Sequence, residues 1–253
     1  MPEHFIDISE EGGVRYLHFG TDSIQGAMRI ARPWSLELEY TREMLAGLLL
    51  RPSSDWPRSC LMVGLGAASQ LRFLHRHFPD CRVTALEINP AVISICQQFF
   101  KLPPESPQLD IIAEDASTWI VQAPKEYYDL ILLDGFAANG RPGPLDTPAF
   151  YQACRAHMSE QGLLACKLLS RSRGFQARAR RITQAFDKRC LILPPSDSGN
   201  AIALAATGNA IDTDLVEMHR RAKQLHEQTG LDFRPTLNRL RLSRSLPADH
   251  LKL

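Results

Sequence analysis

The 253-residue sequence lacks most of the signals that assign a chain to a special class of protein. Its six cysteines are scattered, and because no two of them have CxxC spacing, neither a zinc site nor a redox motif is indicated. No apolar run approaches the roughly 18 residues that cross a membrane. With no recognisable signal peptide, these absences predict a cytoplasmic protein whose cysteines stay reduced.

The sequence also lacks an excess of charge and the common catalytic motifs. A net charge of +1 makes no electrostatic case for a nucleic-acid or membrane partner, so we expect neither. There is no GxxxxGK[ST] phosphate loop, no GxSxG elbow and no HExxH pair. The eight histidines have no metal-ligand spacing, so we expect no metal site.

What the sequence has is a regular alternation that begins at Cys60. Apolar, strand-like runs such as CLMVG, RVTALEI and YDLILLD are each followed by a segment with helical spacing of its apolar residues. This alternation predicts an α/β protein with a Rossmann-like, doubly wound and mainly parallel sheet. We expect residues 56–253 to form this domain, with a C-terminal tail.

The two ends of the chain have other patterns. Residues 1–55 predict a small N-terminal β-hairpin region, with a turn at Gly12-Gly13, and a linking helix in SLELEYTREMLAGLLL. The tail after Gly230 carries four arginines in FRPTLNRLRLSR. We interpret the tail as a peripheral segment with a solvated basic face rather than as a partner-binding arm.

Chemistry-bearing residues follow the predicted strands, where ligands of such sheets bind. The turn Gly64-Leu65-Gly66 allows the main chain to approach a ligand closely, although a GxG turn by itself is weak evidence. Glu87 comes about 20 residues later, where a carboxylate that accepts from ribose hydroxyls belongs. Because no Lys or Arg is near Gly64, the pattern favours an S-adenosyl type of ligand over a phosphate-rich dinucleotide.

The next two strands end on carboxylates as well. Asp115 could accept from an adenine amine, with the small Ala116 leaving room for the ring; spacing alone equally supports Asp115 as a helix N-cap. Asp134 follows the apolar run LILL, where it could attract a sulfonium, accept a proton from an amine, or only cap its loop. The Gly- and Pro-rich loop after it is long enough to cover a pocket.

With these residues in order, the chain resembles the spermidine synthase (polyamine aminopropyltransferase) superfamily, a branch of the class I methyltransferase fold. Gln25 in DSIQG is similar to a glutamine that precedes the family's domain, and EYTREM resembles its Tyr-His-Glu-Met helix. GLGAAS stands where the family has GGGDGG, and LLDGF where it has DSxDP. EIN, EDA and PPSDSGNAIALA are similar to further family segments.

The resemblance implies roles for these positions. Gln25 would contact the thioether region of the ligand, Glu87 would hold the ribose, and Asp115 with Ala116 would hold the adenine. Asp134 would be the catalytic carboxylate that receives a hydrogen bond or proton from the attacking amine. The full set expected to bind the donor, S-adenosylmethionine or its decarboxylated form, is Gln25, Gly64, Gly66, Glu87, Ile88, Asp115 and Ala116. The resemblance also implies a small-molecule amine or other acceptor and a homo-oligomer, a dimer.

The departures from the family pattern are concentrated at the amine half of the site. They are Ala67 for the GGGDGG aspartate, Ala137 for the second DSxDP aspartate, Thr41 and Arg42 for the Tyr and His of the helix, and Ser196 for a late tyrosine. Three functions therefore stay open at this point: transfer of a group from an adenosyl sulfonium donor to an amine, methyl transfer from S-adenosylmethionine, and non-catalytic binding of a nucleoside ligand.

Overall fold

A small antiparallel sheet begins the chain. The computed structural model describes residues 5–53, 55–124, 127–135 and 143–253. Strands β1 (Ile6–Glu11), β2 (Val14–Phe19) and β3 (Ile24–Arg29) pair in that order, with Gly12 and Gly13 in the first turn. The predicted hairpin region is therefore a three-stranded meander.

A seven-stranded sheet forms the centre of the molecule. Its strands are β4 (Ser59–Val63), β5 (Arg82–Leu86), β6 (Leu109–Ile112), β7 (Tyr128–Leu133), β8 (Met158–Leu169), β9 (Cys190–Ile192) and β10 (Asn200–Ala206). They lie in the order β6-β5-β4-β7-β8-β10-β9, in which β10 runs antiparallel to both of its neighbours and the other pairings are parallel. Strands β11 (Asp212–Asp214) and β12 (His250–Lys252) form a separate antiparallel pair.

Helices cover both faces of the central sheet. They are α1 (Glu39–Glu43), α2 (Gly47–Leu50), α3 (Ser69–His77), α4 (Pro90–Phe99), α5 (Ala116–Gln122), α6 (Pro148–Ala156), α7 (Phe175–Ala185), α8 (Leu215–Thr229) and α9 (Arg234–Leu242). The predicted α/β, doubly wound and mainly parallel architecture is confirmed. Within the described residues, no helix combines the length and apolar character that crossing a membrane needs.

The side chains of β4 explain why the sheet has a core on each face. Cys60 and Met62 point into one apolar cluster, whereas Leu61 and Val63 point into the other. This alternation follows from the two-residue period of a strand, and a parallel strand covered on both sides is apolar throughout. Helices α3, α4, α8 and α9 pack into the first cluster, and α5, α6 and α7 into the second.

The linking segment differs from its prediction. A single helix was expected over SLELEYTREMLAGLLL, and the structure has two short helices, α1 and α2. Gly47, a poor helix former, begins the second one. An added Cβ at Gly47 would lie 3.1 Å from the Trp56 ring and 3.2 Å from the Leu163 side chain. The main chain of this helix therefore packs directly against both side chains.

Three of the four arginines of the C-terminal tail, Arg234, Arg241 and Arg244, are exposed, as expected for a solvated basic face, but the tail is not peripheral. Its apolar residues Phe233, Leu237 and Leu240 are buried in the core. Arg239 forms ion pairs with Glu39, at 2.6 Å, and with Glu43, whose side chain is fully buried. Burial raises the pKa of the Glu43 carboxyl, and Arg239 opposes this rise. The tail therefore joins the last helix of the chain to the first.

The turn after β4 lies very close to the main chain that follows β7. Gly64 has a φ of +92°, and an added Cβ would lie 2.5 Å from the carbonyl oxygen of Asp134. The Asp134 N–H in turn donates to the Val63 carbonyl at 2.9 Å. Only glycine satisfies both the backbone angle and the short contact.

We expect Arg239→Ala to lower the free energy of unfolding by about 3 kcal/mol, because it leaves the buried Glu43 carboxylate without its cation. Chemical denaturation measures the change. The matched control is Arg241→Ala, at an exposed position of the same helix, which should change stability by about 0.5 kcal/mol or less. Equal losses for the two variants would contradict the buried ion pair.

A second prediction concerns Gly64. In the same assay, Gly64→Ala should destabilise the protein at least twice as much as Gly13→Ala. Gly13 has a φ of +75° but nothing within 4 Å of an added Cβ, so its variant carries only the backbone strain, about 1 kcal/mol. The difference between the two variants isolates the contact with Asp134. If the variants lose the same stability, the close approach carries no constraint.

Candidate active site

One large cavity lies at the carboxyl ends of the parallel strands. Its volume is about 1030 Å³, and its wall includes the glycine turn, strand ends of the central sheet and part of the N-terminal sheet. All the residues that the sequence analysis assigned to the site line this cavity: Gln25, Gly64, Gly66, Glu87, Ile88, Asp115, Ala116 and Asp134. The structure therefore brings the whole predicted set together.

Glu87 is held at the end of β5 by the main chain. Its Oε2 accepts from the Leu65 N–H at 2.9 Å, and its Oε1 accepts from the Asn89 N–H at 3.0 Å. Burial raises the pKa of the Glu87 carboxyl, while these backbone hydrogen bonds act in the opposite direction. The result is a buried carboxylate with a fixed orientation, directly beside the glycine turn.

Asp115 is the N-cap of α5. Its Oδ1 accepts from both the N–H and the hydroxyl of Ser117, at 2.9 and 2.8 Å. Since both bonds end on Oδ1, the cap is compatible with a bond from Oδ2 to a ligand. Ala116 follows as the first helical residue and is buried, whereas Ile88 is half exposed at the rim of the cavity.

Asp134 follows β7 and is paired with a lysine. The Lys167 ammonium lies 2.7 Å from Asp134 Oδ1, with 15% and 18% of the two side chains exposed. The same ammonium lies 4.2 Å from the centre of the Tyr40 ring. Tyr40 is buried, and its pKa is raised well above the ordinary value by burial and further by the Asp134 carboxylate.

Sequence reasoning missed Lys167 and Tyr40. Lys167 is the single charged residue in the apolar segment LLACKLLS, and this was the available signal. Strands β7 and β8 pair with Leu133 opposite Cys166, so the next residues on the two strands, Asp134 and Lys167, lie side by side. Among the described residues that line the cavity, Lys167 is the only lysine or arginine.

The glycine turn is packed against the N-terminal sheet. An added Cβ on Gly26 would lie 2.5 Å from the Cβ of Ala67, and one on Gly66 would lie 3.4 Å from the Gln25 carbonyl oxygen. Ala67 is 2% exposed. The alanine that replaces the expected family aspartate therefore meets main chain of β3, and the small residues at 26 and 67 fit each other.

A buried arginine ties the turn to its surroundings. Arg72 donates from Nε to the Pro33 carbonyl at 2.7 Å, and from Nη1 to the carbonyls of Ala67 at 2.5 Å and Phe100 at 2.7 Å. Burial lowers the pKa of this guanidinium to about 10. Arg72 thus fixes the glycine turn relative to the N-terminal segment and the end of α4.

The other positions that differ from the family pattern lie in different surroundings. Arg42 adds no charge to the cavity wall, because its guanidinium donates to the carbonyls of Leu36 and Glu37. Thr41 lines the cavity, and Ser196 is buried with its hydroxyl 2.8 Å from that of Ser198. Ala137 lies outside the described residues.

The loop after Asp134 is described only at its two ends. Residues 136–142 lie outside the described part, so its predicted role as a cover stays a prediction. Gly143, Pro144 and Leu145 line the cavity. Asp146 anchors the end of the loop, since its Oδ1 accepts from the Tyr151 hydroxyl at 3.0 Å and from Arg181 Nε at 3.1 Å.

The residues that the structure describes contain no group of three or more His, Cys, Asp or Glu side chains that could hold a metal ion. The chemistry of the cavity is instead that of carboxylates at strand ends, one ammonium, and main-chain groups at a glycine turn. Such a wall suits a nucleoside that carries a positive charge and offers little to a phosphate.

Solved structures share this architecture. A probable spermidine synthase from Corynebacterium glutamicum matches with a TM-score of 0.71 at 19% identity, over 87% of this chain and 83% of the other. Human methyltransferase-like protein 13, solved in complex with SAH, matches with a TM-score of 0.68 at 22% identity, over 76% and 93%. At these identities the likeness shows the fold alone, and it confirms the predicted class I methyltransferase fold.

Sequence relatives identify the family. A polyamine aminopropyltransferase from Chromobacterium violaceum is 33% identical over 251 residues, which are 99% of this chain and 94% of the relative. One from Neisseria meningitidis is 32% identical over 98% of this chain and 93% of the relative. The family model described as the spermine/spermidine synthase domain matches residues 38–173. The chain therefore belongs to the spermine/spermidine synthase family.

Proposed function

We propose that this protein is an aminopropyltransferase that uses decarboxylated S-adenosylmethionine as donor and an amine as acceptor. The observation that carries the proposal is the convergence of Glu87, Asp115 and Asp134 on one cavity beside the glycine turn. The full-length similarity to polyamine aminopropyltransferases supports a transferase with an adenosyl-type donor.

The nucleoside half of the donor would lie along β4, β5 and β6. Both oxygens of Glu87 are already oriented by main-chain donors, and their remaining lone pairs suit the two hydroxyls of a ribose. Asp115 Oδ2 would accept from the adenine amine, with Ala116 leaving room for the ring. Gln25, on β3, would contact the region of the sulfur, and Ile88 would cover the exposed side of the nucleoside.

The reaction would take place next to Asp134. The acceptor nitrogen attacks the carbon beside the sulfonium, so that an N–C bond forms while the C–S bond breaks. The electron pair of the broken C–S bond stays on the sulfur, and neutral methylthioadenosine leaves. The amine loses a proton, which the Asp134 carboxylate would accept or pass to water through a lone pair that Lys167 and Tyr40 leave open.

Methyl transfer from intact S-adenosylmethionine is a second candidate, and the packing of Ala67 favours it. The turn carries no carboxylate there to bind the donor's terminal amine or to repel its carboxylate. Against it, the described wall of the cavity has four carboxylates and one ammonium, which disfavours an anionic group on the donor.

Calorimetry with the two donors separates these candidates. We expect the decarboxylated donor to bind about tenfold more tightly, because the donor carboxylate would otherwise enter a predominantly acidic cavity. Methylthioadenosine lacks both the terminal amine and the carboxylate of the donors, so it measures the contribution of the nucleoside part alone. It should also bind. Tighter binding of intact S-adenosylmethionine would instead support methyl transfer.

Two isosteric variants test the assigned roles and control each other. Asp134→Asn should lower kcat by about a hundredfold or more, since it removes the proton acceptor, while binding of methylthioadenosine stays within a few fold of wild type. Glu87→Gln should weaken methylthioadenosine binding by about tenfold, since it removes charge from the ribose contacts. Release of methylthioadenosine and calorimetry provide the two readouts.

Two control variants, Asp110→Asn and Glu105→Gln, each remove a carboxylate at an exposed position outside the cavity. Transfer by Asp134→Asn at the wild-type rate would refute the catalytic assignment. A protein that binds methylthioadenosine but transfers nothing to any amine would favour the non-catalytic alternative.

A further inference from the structure

The ammonium of Lys167 lies where an acceptor amine would contact Asp134. It is 2.7 Å from Asp134 Oδ1 and 4.2 Å from the centre of the Tyr40 ring. An ammonium between a carboxylate and the face of an aromatic ring is the arrangement by which proteins bind amine ligands. Here the chain itself supplies the cation.

Within the described residues, the charges of Lys167 and Asp134 therefore cancel at this end of the cavity before a ligand enters. In the described part of the wall, the other carboxylates are Glu87, Glu114 and Asp115, which follow β5 and β6. With neighbouring strands about 4.8 Å apart, Glu87 is two strands and Asp115 three strands away from Asp134. Lys167 lies one strand further still, so these carboxylates do little to offset its charge.

This neutrality is costly to maintain, which argues that the lysine has a role. Lys167 lies within a strand whose neighbours Cys166 and Leu168 are buried, and its side chain is only 15% exposed. Transferring an ammonium and a carboxylate from water to such a site costs more than burying an amide or an apolar side chain of similar size.

On the basis of the proposed transfer function, we propose that Lys167 determines acceptor specificity: it selects an amine with a single positive charge and disfavours diamines. Lys167 and the Tyr40 hydroxyl both contact the Asp134 carboxylate, and its remaining lone pairs would accept from one amine. The second ammonium of a diamine would meet Lys167 within the same partly buried space, whereas a neutral or anionic tail would not be repelled by it. Ala67, where the family pattern has an aspartate, acts in the same direction, because it adds no carboxylate to the cavity wall.

Three acceptors with the same four-carbon chain test this proposal: putrescine, butylamine and γ-aminobutyrate. Initial rates of methylthioadenosine release give kcat and KM for each. For the wild-type protein, we expect kcat/KM for the two monoamines to exceed that for putrescine by at least about tenfold, the effect of one like-charge contact in a partly buried site. In Lys167→Gln, kcat/KM for putrescine should rise by about tenfold, mainly through a lower KM.

Lys167→Arg keeps the charge and should keep the preference for monoamines. Lys223→Gln removes a lysine whose side chain is 80% exposed on α8, and it should change none of the constants. Calorimetry with methylthioadenosine and thermal unfolding verify that each variant is folded and has an intact donor site.

The proposal fails if the wild-type protein uses putrescine as well as the monoamines. It also fails if Lys167→Gln lowers kcat for all three acceptors in parallel, which would make Lys167 a positioning residue. A mass increase of one aminopropyl group on Lys167 would overturn it too, since this amine would then itself be an acceptor. If neither protein transfers to any acceptor although methylthioadenosine binds, the proposed transfer function fails as well.

Discussion

The site depends on one close approach, between Gly64 at the end of β4 and the main chain of Asp134 after β7. There is no room for a side chain between them, because a Cβ on Gly64 would lie 2.5 Å from the Asp134 carbonyl oxygen. The position of the glycine turn therefore fixes the position of the Asp134 main chain, from which the carboxylate extends. Glu87 accepts a hydrogen bond from the Leu65 N–H of the same turn, so all three groups are connected through the glycine turn.

The cavity next to this turn has two electrostatic halves. Towards β5 and β6 its wall is acidic, with Glu87 oriented by the main chain and Asp115 serving also as a helix cap. Towards β8 the Asp134 carboxylate is neutralised by Lys167, which lies against Tyr40. Under the proposed function a cationic nucleoside would bind in the first half, while in the second half the charges of the described residues Asp134 and Lys167 cancel.

The surrounding packing explains why the amine half differs from the family pattern. Ala67 is covered by the main chain of Gly26, so the N-terminal sheet occupies the space near the expected aspartate. Arg72 fixes this arrangement by donating to Pro33, Ala67 and Phe100. On the other side, Arg239 pairs with the buried Glu43 and connects the C-terminal helix to α1. Both ends of the chain thus support the cavity wall.

The sequence by itself determined the architecture and the nucleoside half of the candidate site. The alternation after Cys60 predicted the parallel sheet, because local periodicity sets which face of each element is buried. Since parallel strands end at one edge, the residues after them had to meet, and Glu87, Asp115 and Asp134 do. The division of the chain at residues 55 and 56 stays a prediction.

Only the tertiary structure decided the acceptor half and the role of the C-terminal tail. Whether Lys167 faces Asp134 depends on the register between β7 and β8, in which a shift of one residue would turn the side chain to the other face. The partners Glu43 and Arg239 are 196 residues apart, and the contact of Gly26 with Ala67 depends on how the small sheet packs. Local patterns carry no information on such distant pairings, because these form only when separate elements meet.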